Sequence, residues 1–198
     1  EYSNPLTIGN MSLFDKIQVS IFQSITTRTA GFASVPQENL TNASALVSLL
    51  LMLVGGSPVG TAGGIKTVTV AVLLCSAFAT IKNKKSATLF GRCLSEDSVK
   101  KAVAVTVMFL SICSLSALIL MATSDASALD VIYETVSATA TVGLSRNMTA
   151  SLNIIGKLII ISTMYFGRVG PISLAVALGR RSQNQNIIAN PTEEISIG

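Results

Sequence analysis

Histidine and tryptophan are missing from this 198-residue chain, and aromatic residues make up only 5% of it. Without histidine the chain holds no imidazole base, no Ser-His-Asp or Cys-His catalytic set and no histidine metal ligand. Charge is scarce as well. Charged residues are 12% of the total, about half the share usual for a soluble domain. The three cysteines, Cys75, Cys93 and Cys113, are odd in number, widely spaced and free of any C-x-x-C pattern, so neither a disulfide framework nor a thiolate metal site follows. What the chain has in quantity is apolar surface: 49% hydrophobic residues and a mean hydropathy of +0.62. The balance favours a chain that meets lipid over a soluble enzyme, and a membrane-bound enzyme would lack any nucleophile–base set.

The formal charge of +4 is concentrated rather than dispersed. Lys82, Lys84, Lys85, Arg92, Lys100 and Lys101 stand against only Glu96 and Asp97 between 82 and 101, and Arg180–Arg181 follow the last apolar run. These clusters flank apolar segments and lack interleaved aromatics, so they fit cytoplasmic loops rather than nucleic-acid binding. Residues 102–122 are 21 uncharged positions in succession, the length of a membrane-crossing helix. A second span is expected over 158–178, within a helix 152–179. Two crossings place both basic clusters on one side, so the segment between them, 129–145, must dip in and return.

The chain repeats itself. Thr29-Ala30-Gly31-Phe32 matches Thr141-Val142-Gly143-Leu144, 112 residues later. Each block ends a short segment (13–27 and 129–140) that begins near an aspartate, Asp15 or Asp130, and each precedes a longer apolar run. The predicted unit is a membrane helix, a half helix, a Gly turn and a second membrane helix, all within an all-α polytopic membrane protein. The first copy, 1–81, lacks its leading helix, which suggests a piece of a longer chain. Irregular backbone at membrane depth is tolerated only where protein or a water-filled cavity surrounds it. A Thr-x-Gly turn there can offer main-chain oxygens to a monovalent cation in place of its hydration shell.

The Gly-rich segment 55–64 interrupts the apolar run 39–81. It superficially matches a phosphate loop, but Ile65 separates Gly64 from Lys66 and no strand precedes it. Residues 40–54 and 65–81 would make helices of about 22 and 25 Å. Against a hydrocarbon core of about 30 Å, the loop between them falls at membrane depth. Arg168 is the sole charge within 158–178, and an arginine at that depth should face a protein interior or an aqueous cavity. Lys66 borders the loop. Glu134 and Asp130 lie on or near the second half helix as cation attractors or helix caps, and Arg28 is expected to turn away from the first filter block and pair with an acid.

Four motifs in order, TTRTAGF (26–32), GGSPVGTAGGIKT (55–67), ATVGLS (140–145) and GRVGP (167–171), resemble the Trk/Ktr/HKT potassium transporter superfamily over essentially the whole chain. The resemblance implies the second half of a KtrB-like membrane subunit. This half would carry the third and fourth of four helix–pore–helix repeats around a pseudo-fourfold pore. By that likeness Thr29, Ala30, Gly31 and Phe32 (filter 28–33) and Thr141, Val142, Gly143 and Leu144 (filter 140–145) form half of a K+ selectivity filter open to the outside. The gate is implied at Gly55, Gly56, Ser57, Gly60, Thr61, Ala62, Gly63 and Gly64, with Lys66 and Arg168. The likeness further implies potassium uptake in the cell membrane, Na+ as a candidate activator and no cofactor in the chain. Its implied partners are the bilayer, the first two repeats, a second subunit copy and a cytoplasmic KtrA/TrkA-like nucleotide-binding subunit, with no nucleic acid. The contacts with that nucleotide-binding subunit would use the cytoplasmic loop 82–101 and tail 182–198. The competing reading is a secondary transporter that binds its solute at broken helices near the midplane.

Overall fold

The computed structural model describes residues 1–57, 62–84, 86–89 and 91–170. Helix α1 spans Leu13–Thr26 and α2 Asn42–Leu53, joined through the first Gly turn and a 3-10 turn at Gln37–Asn39. Helix α3 (Thr67–Ile81) leads through a two-residue hairpin, β1 Thr88–Leu89 and β2 Arg92–Cys93, into α4 (Glu96–Thr123). Helix α5 (Ala128–Thr139), the second Gly turn, a short α6 (Met148–Ser151) and α7 (Ile154–Val169) complete the described chain. The fold is all-α apart from that hairpin.

The helices start where the sequence supplies caps. Ser12, Thr41, Ser95, Ser127 and Asn153 each accept a backbone N–H of the first turn through the side chain, satisfying donors that otherwise have no partner. Ser12–Asp15 and Ser127–Asp130 are the same device in the two repeats, with each serine hydroxyl also donating to its aspartate at 2.7 Å. The cap of α5 is therefore Ser127, with Asp130 its acidic third residue. Helix α4 begins six residues before the expected 102, inside the basic segment 82–101. Hydropathy finds only the apolar part of a helix, while Ser95 and the i,i+4 pairs Lys100–Glu96 and Lys101–Asp97 extend it. The broken helix begins at Asn42 rather than 39. The last helix begins at Ile154 rather than 152 and stops at Val169, where Gly170 takes φ +83°. Residues 171–179 of that expected helix and the tail 182–198 lie outside the described residues.

Among the described residues, α4 alone is long and apolar enough to cross a membrane unaided. Its 28 residues make about 42 Å. One of its faces leaves Val103, Val107, Leu110, Leu115 and Leu118 exposed, while Ala102, Phe109, Cys113, Ser116 and Leu120 are buried. An exposed apolar face of this extent needs a covering other than water. Helices α4, α5 and α7 pack against one another, and the Ser116 and Thr163 hydroxyls bond across α4 and α7 at 2.7 Å. The core joins Leu49 and Met52 of α2, Phe109 of α4 and Tyr133 and Val136 of α5 to Ala140, Val142 and Leu144. The second Gly turn thus anchors in the core through Ala140, Val142 and Leu144 and leaves Gly143 exposed.

Candidate functional site: paired glycine turns and an adjoining loop

Helices α1 and α5 each end in a turn with positive φ at the same two places. Thr29 and Gly31 have φ of +71° and +75°, and Thr141 and Gly143 have +57° and +93°, with Ala30 and Val142 between them in the ordinary region. A β-branched residue at positive φ is a genuine outlier, and such a residue costs about 1–3 kcal/mol. Here it occurs twice, at matching places. Glycine accepts the conformation because it lacks a Cβ.

Polar side chains behind the turns hold them. Thr26 Oγ1 donates to the Phe32 carbonyl at 2.7 Å and accepts the Phe32 N–H at 2.8 Å. Ser137 Oγ accepts the Gly143 N–H at 3.2 Å. The helix carbonyl ends of α1 and α5 abut the turns, where the aligned peptide dipoles leave partial negative charge that favours a cation.

The structure brings the two turns together. A Cβ on Gly31 would stand 2.2 Å from the Val142 carbonyl oxygen, and one on Gly143 would stand 4.0 Å from the Gly31 Cα. The turns differ in packing, with Phe32 70% exposed and Leu144 3%.

The arms of the Gly-rich loop are tied at its neck. Val54 and Ile65 form a parallel bridge, Gly55 N–H donates to the Ile65 carbonyl at 2.9 Å and Thr67 N–H to the Gly56 carbonyl at 3.3 Å. Lys66 Nζ donates to the Ala62 carbonyl. The returning arm reaches the second turn, with Gly63 against the backbone of Ala140 and the side chain of Thr141. Gly60 and Thr61 lie outside the described residues. Arg168, in the last turn of α7, is exposed in this chain and lines a cavity of about 560 Å3 with Glu134, Thr141, Gly143, Thr149 and Tyr165. Glu134 is only 6% exposed and accepts the hydroxyls of Ser145, at 2.7 Å, and Thr149.

Arg28 corrects an expectation. It donates to the carbonyls of Leu51, at 3.2 Å, and Val54 rather than to an acid. The end of α2 leaves carbonyls without helical partners, and a guanidinium satisfies several at once.

Sequence reasoning missed Arg146, Gln37 and Tyr133. Arg146 Nε lies 2.6 Å from Asp130 Oδ1, and its Nη atoms reach carbonyls of Gln37 and Glu38. Tyr133 Oη donates to Gln37 Oε1 at 3.0 Å. The Ser-x-x-Asp cap could have marked Asp130 as placed, but nothing in the sequence pairs residues more than ninety positions apart.

The sequence profile of the family described as TrkH, cation transport protein, matches residues 4–187. The Ktr system potassium uptake protein B of Bacillus subtilis is 38% identical over all of this chain and 44% of that protein. The protein of the same name from Vibrio alginolyticus is 36% identical over all of this chain and 43% of its own length. The potassium/sodium uptake protein NtpJ of Enterococcus hirae is 36% identical over 98% of this chain and 44% of its own length. The chain thus spans under half the length of the curated relatives it matches. The crystal structure of the potassium transporter TrkH from Vibrio parahaemolyticus superimposes with a TM-score of 0.74 at 19% identity, over 86% of this chain and 39% of that one. With its apolar helix faces and its paired turns, this membrane chain belongs to the TrkH cation transport protein family.

Proposed function

We propose that this chain forms half of a carbonyl-lined selectivity filter, with its gate, in a protein that takes up potassium. The observation that carries the reading is the matched pair of Thr-x-Gly turns, each with two left-handed residues and each against the other. Alternation of left- and right-handed residues turns successive peptide planes so that neighbouring oxygens face one side. Such oxygens can replace the hydration shell of a monovalent cation. Thr29, Ala30 and Gly31 with Thr141, Val142 and Gly143 supply them, Phe32 and Leu144 close the two filter blocks, and the negative ends of α1 and α5 add attraction.

The segment 55–64 is the proposed gate, with Lys66 holding its returning arm and Arg168 opposing cation passage until the arm moves. Gly63 at the second turn supports that assignment. The basic loop 82–101 lies on the cytoplasmic side and, with the tail, meets a nucleotide-binding regulatory subunit. The working unit pairs these two repeats with two more and then with a second copy, and translocates ions without catalysing a chemical reaction.

The test is K+ and Na+ uptake by the full-length gene product in proteoliposomes. Gly31→Ser and Gly143→Ser should each lower the K+/Na+ ratio, Gly143→Ser by about tenfold for a discrimination loss near 1.4 kcal/mol and Gly31→Ser by more. Loss of saturable uptake with the ratio unchanged would point to a carrier binding at the broken helices and overturn the filter.

A further inference from the structure

We propose that Arg146 is a positioning residue that fixes the spacing of the two Gly turns and thereby tunes ion discrimination. The proposal rests on the filter reading above. Arg146 lies two residues beyond the second turn, and its side chain is 9% exposed. On one side its Nε meets Asp130 Oδ1 at 2.6 Å, in the first turn of α5. On the other, Nη1 donates to the Gln37 carbonyl at 2.9 Å and Nη2 to the Glu38 carbonyl at 3.3 Å, in the 3-10 turn that follows the first Gly turn. One guanidinium therefore spans the end of the second turn, the helix that carries it and the segment leaving the first.

A second link runs parallel to it. Gln37, 2% exposed, accepts the Tyr133 hydroxyl at 3.0 Å and a Gln23 amide N–H at 2.7 Å. This joins α5 to α1, so both half helices and both turn exits are connected through Gln37.

Burial decides the weight of these contacts. Exposed ion pairs such as Lys100–Glu96 contribute little. A guanidinium that is 9% exposed has lost most of its hydration and depends on the acceptors it keeps. Its planar fork fits several acceptors at once, which a lysine ammonium on a flexible stem does not reproduce.

Spacing is what a carbonyl filter must hold, because its preference between ions depends on cavity size and on the number and field of its oxygens. The two turns come from segments 112 residues apart, so contacts between the repeats set their separation. The competing role, a positive charge that repels cations from the mouth, makes a different prediction. It would change K+ and Na+ uptake by the same factor and fade as salt screens it.

The experiment measures K+ and Na+ uptake per assembled protein, in proteoliposomes of the full-length gene product, for Arg146→Gln, Arg146→Lys and Tyr133→Phe, with Gly143→Ser as reference. Arg146→Gln should keep K+ uptake but lower the K+/Na+ ratio about three- to tenfold, the scale of coupling in a contact network. Arg146→Lys, with the ion pair but not the fork, should fall between it and wild type. Tyr133→Phe removes one hydroxyl and keeps the buried ring, and should lower the ratio in the same direction by about twofold. Should Arg146→Gln fail to assemble, Tyr133→Phe decides.

An unchanged ratio in every Arg146 and Tyr133 variant that assembles, with Gly143→Ser losing discrimination, overturns the strut and leaves the filter standing. An unchanged ratio in Gly143→Ser as well overturns the filter. Equal changes in both ions that vanish at high salt overturn the strut in favour of a surface-charge effect.

Discussion

Gly63 stands so close to Thr141 that a Cβ on the glycine would lie 2.2 Å from the threonine Oγ1, and 2.4 Å from the Ala140 carbonyl oxygen. The proposed gate arm thus rests on the proposed filter. Gly63→Ala cannot be accommodated unless the arm or the turn shifts, since the oxygen in question is backbone. The expected outcome is an arm displaced from the turn, with basal K+ flux raised severalfold and assembly retained. A flux equal to wild type would show that the contact does not restrain conduction. Thr141→Ala alone removes the nearer atom but not the Ala140 carbonyl, so it should rescue Gly63→Ala only in part.

Arg168 shares a cavity with Thr141, Gly143 and Glu134. If its charge opposes ions leaving the filter, Arg168→Gln should raise K+ flux about tenfold, as expected for removing roughly 1.4 kcal/mol of repulsion. Arg168→Lys keeps the charge and should stay near wild type. Flux assays on these two variants separate charge from shape, and a Gln variant at the wild-type rate removes the electrostatic role.

Arg28 closes the end of α2 through the carbonyls of Leu51 and Val54, beside the Val54–Ile65 bridge at the neck of the loop. Arg28→Gln leaves at least one of those half-buried carbonyls without its partner, at a cost of about 1 kcal/mol. Hydrogen exchange at the amides of Gly55 and Ile65, which close the bridge, should become faster. Protection equal to wild type would place the neck's stability elsewhere.

Much of this architecture can be read from residues alone, and the limits are physical. The half helices are legible to within a residue or so, but the caps Ser12, Ser127 and, on α2, Thr41 are not, because an apolar run or a leading aspartate marks a helix without fixing its first residue. The Thr-x-Gly turns follow because few residues tolerate left-handed backbone, and their recurrence marks them as one device. Helix α4 extends back to Glu96 because hydropathy does not register charged turns that pair within a helix. The partners of Arg28 and Arg146 are backbone carbonyls brought near by packing, and a carbonyl leaves no mark on the sequence. The expectation that Arg28 pairs with an acid fails, while Arg146, for which the sequence suggests no partner, also meets the Asp130 carboxylate.

The Glu1 carboxylate accepts Thr7 Oγ1 at 2.6 Å, the Thr41 hydroxyl and N–H at 2.7 Å each, and Asn4 at 2.8 Å. Burial pushes its pKa up, but these hydrogen bonds outweigh burial and bring it from 4.5 down to about 2. A carboxyl depressed in the folded state contributes stability that is present above its unfolded value and lost as pH falls through the folded one. Protection of the Thr41 amide against exchange should therefore hold above about pH 4.5 and decline toward pH 2. Glu1→Gln should show reduced protection at neutral pH and little further change on acidification. Identical pH profiles for the two proteins would assign the decline to another group.

The two glycines of the proposed filter are predicted to be unequal. A Cβ on Gly31 meets the Val142 carbonyl oxygen at 2.2 Å, whereas one on Gly143 has only the Gly31 Cα, at 4.0 Å. Gly31→Ala must therefore separate the two turns, while Gly143→Ala meets only the strain of a φ of +93°, about 1–3 kcal/mol. Alanine at 31 should cost more in thermal stability and more in K+/Na+ discrimination than alanine at 143. Melting of the purified protein and the uptake ratio should rank the two variants in the same order. Equal losses at both positions would mean that backbone strain, and not the contact between turns, governs the site. A larger loss at 143 would reverse the packing argument outright, because of these two glycines it is Gly31 that makes the close approach.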